Sequence, residues 1–281
     1  MVRLRNTFKT DILFKMLFVK NPVLLKRLVS KLLGIQTESI NELRITNPEM
    51  PPEYYGDKFC RLDINMTVDR QQLNLEIQVE DEGDFPARTL YHWAREYSTA
   101  LPAGGKYFDL PRTIVISIVA FKLFSCVEYH SEFHALEVTR HIPLTDKFCL
   151  MYFELPKIPK MINKDDELLL WLLLFKAETE EELAAIKALE VPVMEQAIEA
   201  YRSITASPEF REMERLRAKA RHDEAQALWN REQQTNKKWQ SIVAEKDAAL
   251  ADKDAVIADK DAALADKDAI IAELRSRLGE K

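Results

Sequence analysis

The sequence predicts an α/β fold, with helices around a sheet, followed by a helical region and a repeat-built helical tail. Three observations carry this. Phe59 to Val68 and Leu73 to Glu80 alternate strictly between apolar and polar residues, which marks half-buried strands. Ile114 to Phe124 is a near-continuous β-branched and aromatic run, consistent with a strand buried on both faces. The intervening and flanking segments instead place apolar residues at helical spacing. Helix, hairpin, helix and buried strand in this order make an α/β arrangement.

Taken in order, residues 10 to 33 read as two helices. Ile12, Leu13, Met16 and Leu17 form one stripe, and Leu24, Leu25, Leu28, Val29, Leu32 and Leu33 a second. Asn21–Pro22 divides them and Gly34 ends the second. A proline-bearing loop over 46–57 leads to the hairpin. Pro86 to Leu101 reads as a helix with Leu90, Trp93, Ala94, Tyr97 and Leu101 inward. After the 114–124 strand, further strands are expected around Cys126–His130, Phe133–His141 and Leu150–Leu155. From Asp165 the chain becomes helical, with acids where a helix dipole favours them and breaks near Val191–Pro192 and Ser207–Pro208. The end is a heptad-like repeat, AEKDAAL, ADKDAVI, ADKDAAL, ADKDAII, from Ala244 to Ile271. Leu250, Ile257, Leu264 and Ile271 recur once per heptad, whereas a coiled-coil seam needs two apolar positions. A helix held by alanine propensity is the expectation, with a homo-oligomer left open.

At 281 residues the chain is long enough for one sizeable core plus an appendage. The division expected is 1–158 for an α/β domain, 159–240 for a helical subdomain and 241–281 for the repeat tail. Only 6 glycines are present, which disfavours glycine-rich phosphate loops. A net charge of −6 argues against a nucleic-acid binder on average, but the average hides an asymmetry. The first 44 residues hold Arg3, Arg5, Lys9, Lys15, Lys20, Lys26, Arg27, Lys31 and Arg44 against Asp11, Glu38 and Glu42. Cys60, Cys126 and Cys149 are an odd set within apolar or alternating runs, which reads as reduced, buried thiols. The longest apolar run, Leu168 to Phe175, is far short of the ~18 residues a membrane crossing needs. A cytoplasmic, membrane-free protein is expected.

The hairpin is where chemistry is expected. A two-residue turn at Asp69 and Arg70 would pair Val68 with Gln71 and set Asp63 opposite Glu76, about 5 Å away on one face, whereas an odd, bulge-free turn would set Asp63 against Ile77. At an effective dielectric near 20 their repulsion is on the order of 3 kcal/mol. A protonated acid, separate solvation, or a bridging cation would relieve it. Mg²⁺ accepts one or two carboxylates and keeps waters and room for phosphate oxygens. The ordinary reading, a solvated strand face, fits the hairpin taken alone. His130 and His134 are a weaker pair for zinc, lacking an obvious third ligand.

The surroundings add an ordered set of motifs: TDILFK at Thr10 to Lys15, a leucine-rich helix, LDI around Asp63, EIQ at 76–78, Arg88 with Tyr91, and Gly105 with Tyr107 before IVISI. Over roughly residues 5 to 160 this order closely resembles the Rpn family of recombination-promoting nucleases, also described as transposases of the PD-(D/E)XK nuclease superfamily. The resemblance implies a restriction-endonuclease-like core, a mixed sheet flanked by helices, and a Mg²⁺-dependent DNA endonuclease in which Mn²⁺ can substitute. It implies that Asp63 and Glu76 bind the metal with the carbonyl of Ile77. Gln78 stands where most of the superfamily has lysine, so it can orient water or a phosphate oxygen but brings no charge. Lys15 and Arg88 are candidates for that charge, Asp11 for a metal-bound water, and Tyr91 lies one turn after Arg88. DNA is the implied partner, in recombination, transposition or defence. The alternative is a non-catalytic DNA-binding or oligomerisation protein that keeps the fold.

Overall fold

The computed structural model describes residues 2–47, 54–55, 58–59, 63–101, 103–159 and 163–279. Cys60, Arg61, Leu62 and the three prolines of the 46–57 loop lie outside them. Contacts divide the chain into two compact units, Met1–Arg217 and Ala218–Lys281.

In the first unit, α1 (Asp11–Lys20) and α2 (Pro22–Leu32) are separated as the sequence predicts. Asn21 donates its side-chain N–H to Leu17 O at 2.7 Å, closing α1, while Pro22 opens α2, where a missing N–H costs nothing. Gly34, at φ 66°, ends α2 in the left-handed region that favours glycine. Then come β1 (Leu43–Ile45), the short pair β2 (Tyr54–Tyr55) and β3 (Lys58–Phe59), and the hairpin β4 (Ile64–Val68) and β5 (Gln71–Gln78). Next are α3 (Phe85–Thr99), β6 (Thr113–Val119), β7 (His130–Phe133) and β8 (Phe148–Glu154). The helices α4 (Glu167–Lys176), α5 (Glu180–Lys187) and α6 (Pro192–Ala206) precede the long α7 (Pro208–Arg277). Asp166 caps α4 by accepting from Leu169 N, and Thr179 with Glu182 forms a capping box on α5.

Six strands form one mixed sheet in the order β1-β4-β5-β6-β8-β7. The central β5, β6 and β8 are parallel, and β4, β1 and β7 run antiparallel to their neighbours. Every residue of β6 is buried, as its unbroken apolar run predicts. One face carries Ile64, Met66, Leu75, Ile116 and Phe153 into a large core with α1, α2, α4, α5 and α6. The opposite face meets α3 through a smaller cluster of Phe85, Val115, Val119, Leu150 and Tyr152.

Several boundaries differ from expectation. The hairpin's second strand starts at Gln71, and β6 stops at Val119, five residues before Phe124. The strand expected at 126–130 reduces to β7 from His130, with Val127 84% exposed. Residues 134–141 are not strand; the chain turns back through a bridge between Leu136 and Pro143, with His141 at φ 55°. On α3, Leu90 and Ala94 point outward, and Phe85 and Thr89 are the buried residues. The face that α3 covers carries the polar residues of the hairpin, so its inner side mixes aromatic and hydrogen-bonding groups and the apolar stripe misleads.

In the second unit the helix runs through the whole repeat, with Leu250, Ile257 and Leu264 more than half exposed. No helix among the described residues is long and apolar enough to cross a membrane.

Candidate active site

The hairpin turns over two residues, Asp69 and Arg70, with Asp69 at φ 52° as such tight turns require. Val68 pairs with Gln71 and Ile64 with Leu75, so the register carried one residue further sets Asp63 opposite Glu76. Both acids stand on the face that α3 covers. They lie at the edge where β5, β6 and β8 end, at Gln78, Val119 and Glu154. Ligands of open α/β sheets bind outside such carboxyl ends.

A frame of neutral polar side chains holds the acids. Asn74, only 3% exposed, donates its amide hydrogens to Asp63 Oδ2 and, at 2.5 Å, to Asn65 Oδ1. Asn47 grips the same strand from outside: its Nδ2 donates to Asp63 O at 3.1 Å, and its Oδ1 accepts from Asn65 N at 2.7 Å. Ser117 of β6, the register partner of Glu76, donates to Glu76 Oε1 at 2.8 Å. Glu76 itself is only 5% exposed, so the hairpin's polar face is not the wet surface that alternation suggested. From α3 above, Thr89 Oγ1 lies 2.5 Å from the Tyr152 hydroxyl. Burial raises the Tyr152 phenol above its ordinary range, the Thr89 hydrogen bond lowers it, and the charge of Glu76 raises it again. Glu96 joins this group. Burial, and then the negative charge of Asp63, push its carboxyl upward, with Arg95 opposing.

The other sequence-derived candidates are placed as follows. Gln78 donates Nε2 to Glu80 O at 2.9 Å. Arg88 donates to Glu82 at 2.6 Å and lies over the Phe85 ring at 4.7 Å. Tyr91, a turn later, is 65% exposed and packs edge-on against His92, so Arg88 turns inward while Tyr91 turns to solvent. Asp11 and Lys15 belong to α1, whose apolar residues pack on the opposite sheet face. Asp11 is ion-paired to Arg217 at 2.6 Å, and Lys15 is 1% exposed. At least five of the nine basic residues of the first stretch are ion-paired within the molecule. Lys9 meets Glu178, Lys20 meets Glu209, Arg27 and Lys31 meet Glu167, and Arg5 meets Glu214.

Asn65 and Asn74 were legible as polar positions of the alternating strands. Asn47, Ser117, Tyr152 and Glu96 arrive from other elements and left no local signal. A second buried ionic group sits at the end of β8. Glu154, 0% exposed, accepts from Leu123 N at 2.6 Å and Phe124 N at 3.3 Å and pairs with Lys157 at 2.6 Å.

The donor set around Asp63 and Glu76 suits a hard divalent cation: two carboxylates plus neutral oxygens. Asn74 Oδ1 is buried without a hydrogen-bond partner. Gln72 N and Gln78 O bond toward β6. Strand alternation therefore aims the Ile77 carbonyl toward the β4 side, where Asp63 lies.

No curated protein and no solved structure matches the chain. A family model, described as PD-(D/E)XK nuclease family transposase, matches residues 8–230, spanning the sheet, its acids and the helices that follow. The mixed six-stranded sheet with helices on both faces agrees with that match, and the chain belongs to the PD-(D/E)XK nuclease family of transposases.

Proposed function

We propose that the protein is a metal-dependent DNA endonuclease, with Asp63 and Glu76 holding Mg²⁺ together with the Ile77 carbonyl. The observation that carries this reading is the register-opposed pair, fixed by Asn74 and Ser117 at the carboxyl edge of the sheet. Two acids so close repel unless a cation or proton lies between them. A divalent cation there supplies Lewis acidity and lowers the pKa of water beside the scissile phosphate.

The chain's own groups provide position. Asn74 and Asn47 fix Asp63 from its side chain and its backbone, so the acid need not reorganise when it binds. Ser117 does the same for Glu76. Helix α3 covers the polar face and limits water there, which strengthens the local electrostatics. Burial and the charge of Asp63 push the Glu96 carboxyl upward, which ties this residue of α3 electrostatically to the acids. Gln78 orients oxygen atoms through its amide, and cationic help from Arg88 requires a change from its bond to Glu82.

Nicking of supercoiled plasmid by the purified protein tests the reading. Mg²⁺- or Mn²⁺-dependent nicking in wild type and its loss in Asp63→Ala are expected. Equal nicking in both, or none under varied metals, overturns it.

A second reading rests on Gln78, which brings no charge where the superfamily has lysine: a DNA-binding or oligomerisation protein that has kept the fold. Salt-dependent DNA binding without cleavage, unchanged by Glu76→Ala, selects it.

A further inference from the structure

At the other edge of the sheet, β7 and β8 bring together three side chains that the chemistry above does not use. Glu132 lies on β7, His134 one residue beyond its end, and Cys149 on the neighbouring β8. Their ligand atoms all lie within 4.8 Å of one another. Cys149 belongs to the large core on the face opposite Asp63 and Glu76. Three strands, β6, β8 and β7, follow β5 across the sheet, so the two groups are separate.

The hydrogen bonding around His134 selects what fits between these groups. Its Nδ1 is 3.2 Å from the Phe148 carbonyl oxygen, which can only accept, so Nδ1 carries the hydrogen. A neutral ring then aims the Nε2 lone pair at Glu132 Oε1, 2.7 Å away, and two acceptors face each other. Only a proton or a metal cation reconciles them. The Cys149 thiol approaches the same oxygen at 3.5 Å. A carbonyl that fixes the tautomer of a histidine is the usual outer support of a metal ligand. Thiolate, imidazole and carboxylate together are a borderline-soft donor set that suits Zn²⁺ rather than Mg²⁺. Tetrahedral zinc, with bonds of about 2.0–2.3 Å, sets its ligands roughly 3.3–3.8 Å apart, so small rotamer shifts suffice.

We propose that Glu132, His134 and Cys149 form a zinc site that pins the edge strand β7 to β8, with water in the fourth position. His130 takes no part, since its ring stacks flat on Phe153 at 4.5 Å. The pair of histidines that spacing suggested is thus replaced by one histidine and two ligands that the fold supplies. Occupancy releases the thiol proton, because zinc binds thiolate. Burial pushes that thiol up to about 12 in the metal-free chain, and the charge of Glu132 adds to it. Zinc affinity therefore falls as pH is lowered.

Titration of the full chain with Co²⁺, which reports thiolate ligation by a near-ultraviolet charge-transfer band, tests the site. One equivalent of band is expected, displaced by Zn²⁺, lost in Cys149→Ser and at least tenfold weaker in Glu132→Gln and His134→Ala. Both of the latter positions are solvent-exposed, so these variants keep the fold even if Cys149→Ser does not. The band must persist in Asp63→Ala, whose oxygen-only site cannot give it. Absence of the band in wild type, its survival in both His134→Ala and Glu132→Gln, or its loss in Asp63→Ala overturns the proposal.

Discussion

Asn74 offers the sharpest test of how the acids are held. It is 3% exposed, and its amide gives one hydrogen to the Asp63 carboxylate and one to Asn65 Oδ1. A hydrogen bond to a charged acceptor contributes about 1.5–3 kcal/mol and a neutral one about 0.5–1.5 kcal/mol. Asn74→Ala removes both, so a loss of about 2–4.5 kcal/mol is expected, or a melting-point drop of roughly 2–4 °C for each kcal/mol. Asn74→Asp keeps the shape but turns a donor into a second carboxylate facing Asp63. At ~4 Å and an effective dielectric near 20 the repulsion adds about 4 kcal/mol. The carboxyl pair then has a raised affinity for protons in the folded state. Its cost is present at neutral pH and relieved as pH falls through the raised value. Urea unfolding in EDTA at pH 7 and at pH 4.5, with and without Mg²⁺, measures this. Asn74→Asp should be the less stable variant at pH 7, recover toward Asn74→Ala at pH 4.5, and gain more from Mg²⁺ than wild type. If Asn74→Ala stays within about 0.5 kcal/mol of wild type, or Asn74→Asp is no worse than Asn74→Ala at pH 7, the bridging role is wrong.

Three further outcomes follow from other parts of the fold. Lys157→Met leaves the fully buried Glu154 without its partner, and breaking such a pair costs about 3–5 kcal/mol by chemical denaturation. The hydrogen bond and charge of Lys9 hold the Glu178 carboxyl below its ordinary 4.5. A depressed carboxyl stabilises the fold above its unfolded value and loses that contribution as pH falls through the folded value. Glu178→Gln should therefore lower stability at pH 7 by about 0.5 kcal/mol after solvent screening, and leave it unchanged near pH 3 in a paired melting series. Cys126 is exposed whereas Cys149 is buried with its thiol at about 12, so iodoacetamide at pH 8 should modify Cys126 first. Site-resolved mass spectrometry reads the order, and modification of Cys149 should await unfolding.

Periodicity and turn chemistry alone reached much of the fold. The break at Asn21–Pro22, the buried β6, the acidic start of α4 and the two-residue turn at Asp69–Arg70 are local events, each decided by residues within a few positions. The opposition of Asp63 and Glu76 follows from that turn, because a hairpin of known loop length has only one register. Alternation misjudged what covers the polar face. It predicts one wet side, yet Asn74 and Glu76 are buried, on the sheet face where α3 packs against β6 and β8. Leu90 and Ala94 consequently face out, where an apolar stripe suggested in.

The acids and their spacing were therefore determined by the sequence itself, since neighbours along a chain fix a strand's period and a hairpin's turn. Their supports were decided only by the tertiary structure. Asn47, Ser117, Tyr152 and Glu96 come from four separate stretches, and Cys149 joins Glu132 and His134 across a strand pair. The same assembly ties Arg5, Lys9, Lys20, Arg27 and Lys31 to distant glutamates, so at least five of the nine basic residues of the first stretch are paired in space. The physical reason is the same throughout. Hydrogen bonds and ion pairs act over a few ångströms of space, and only folding decides which distant residues come that close.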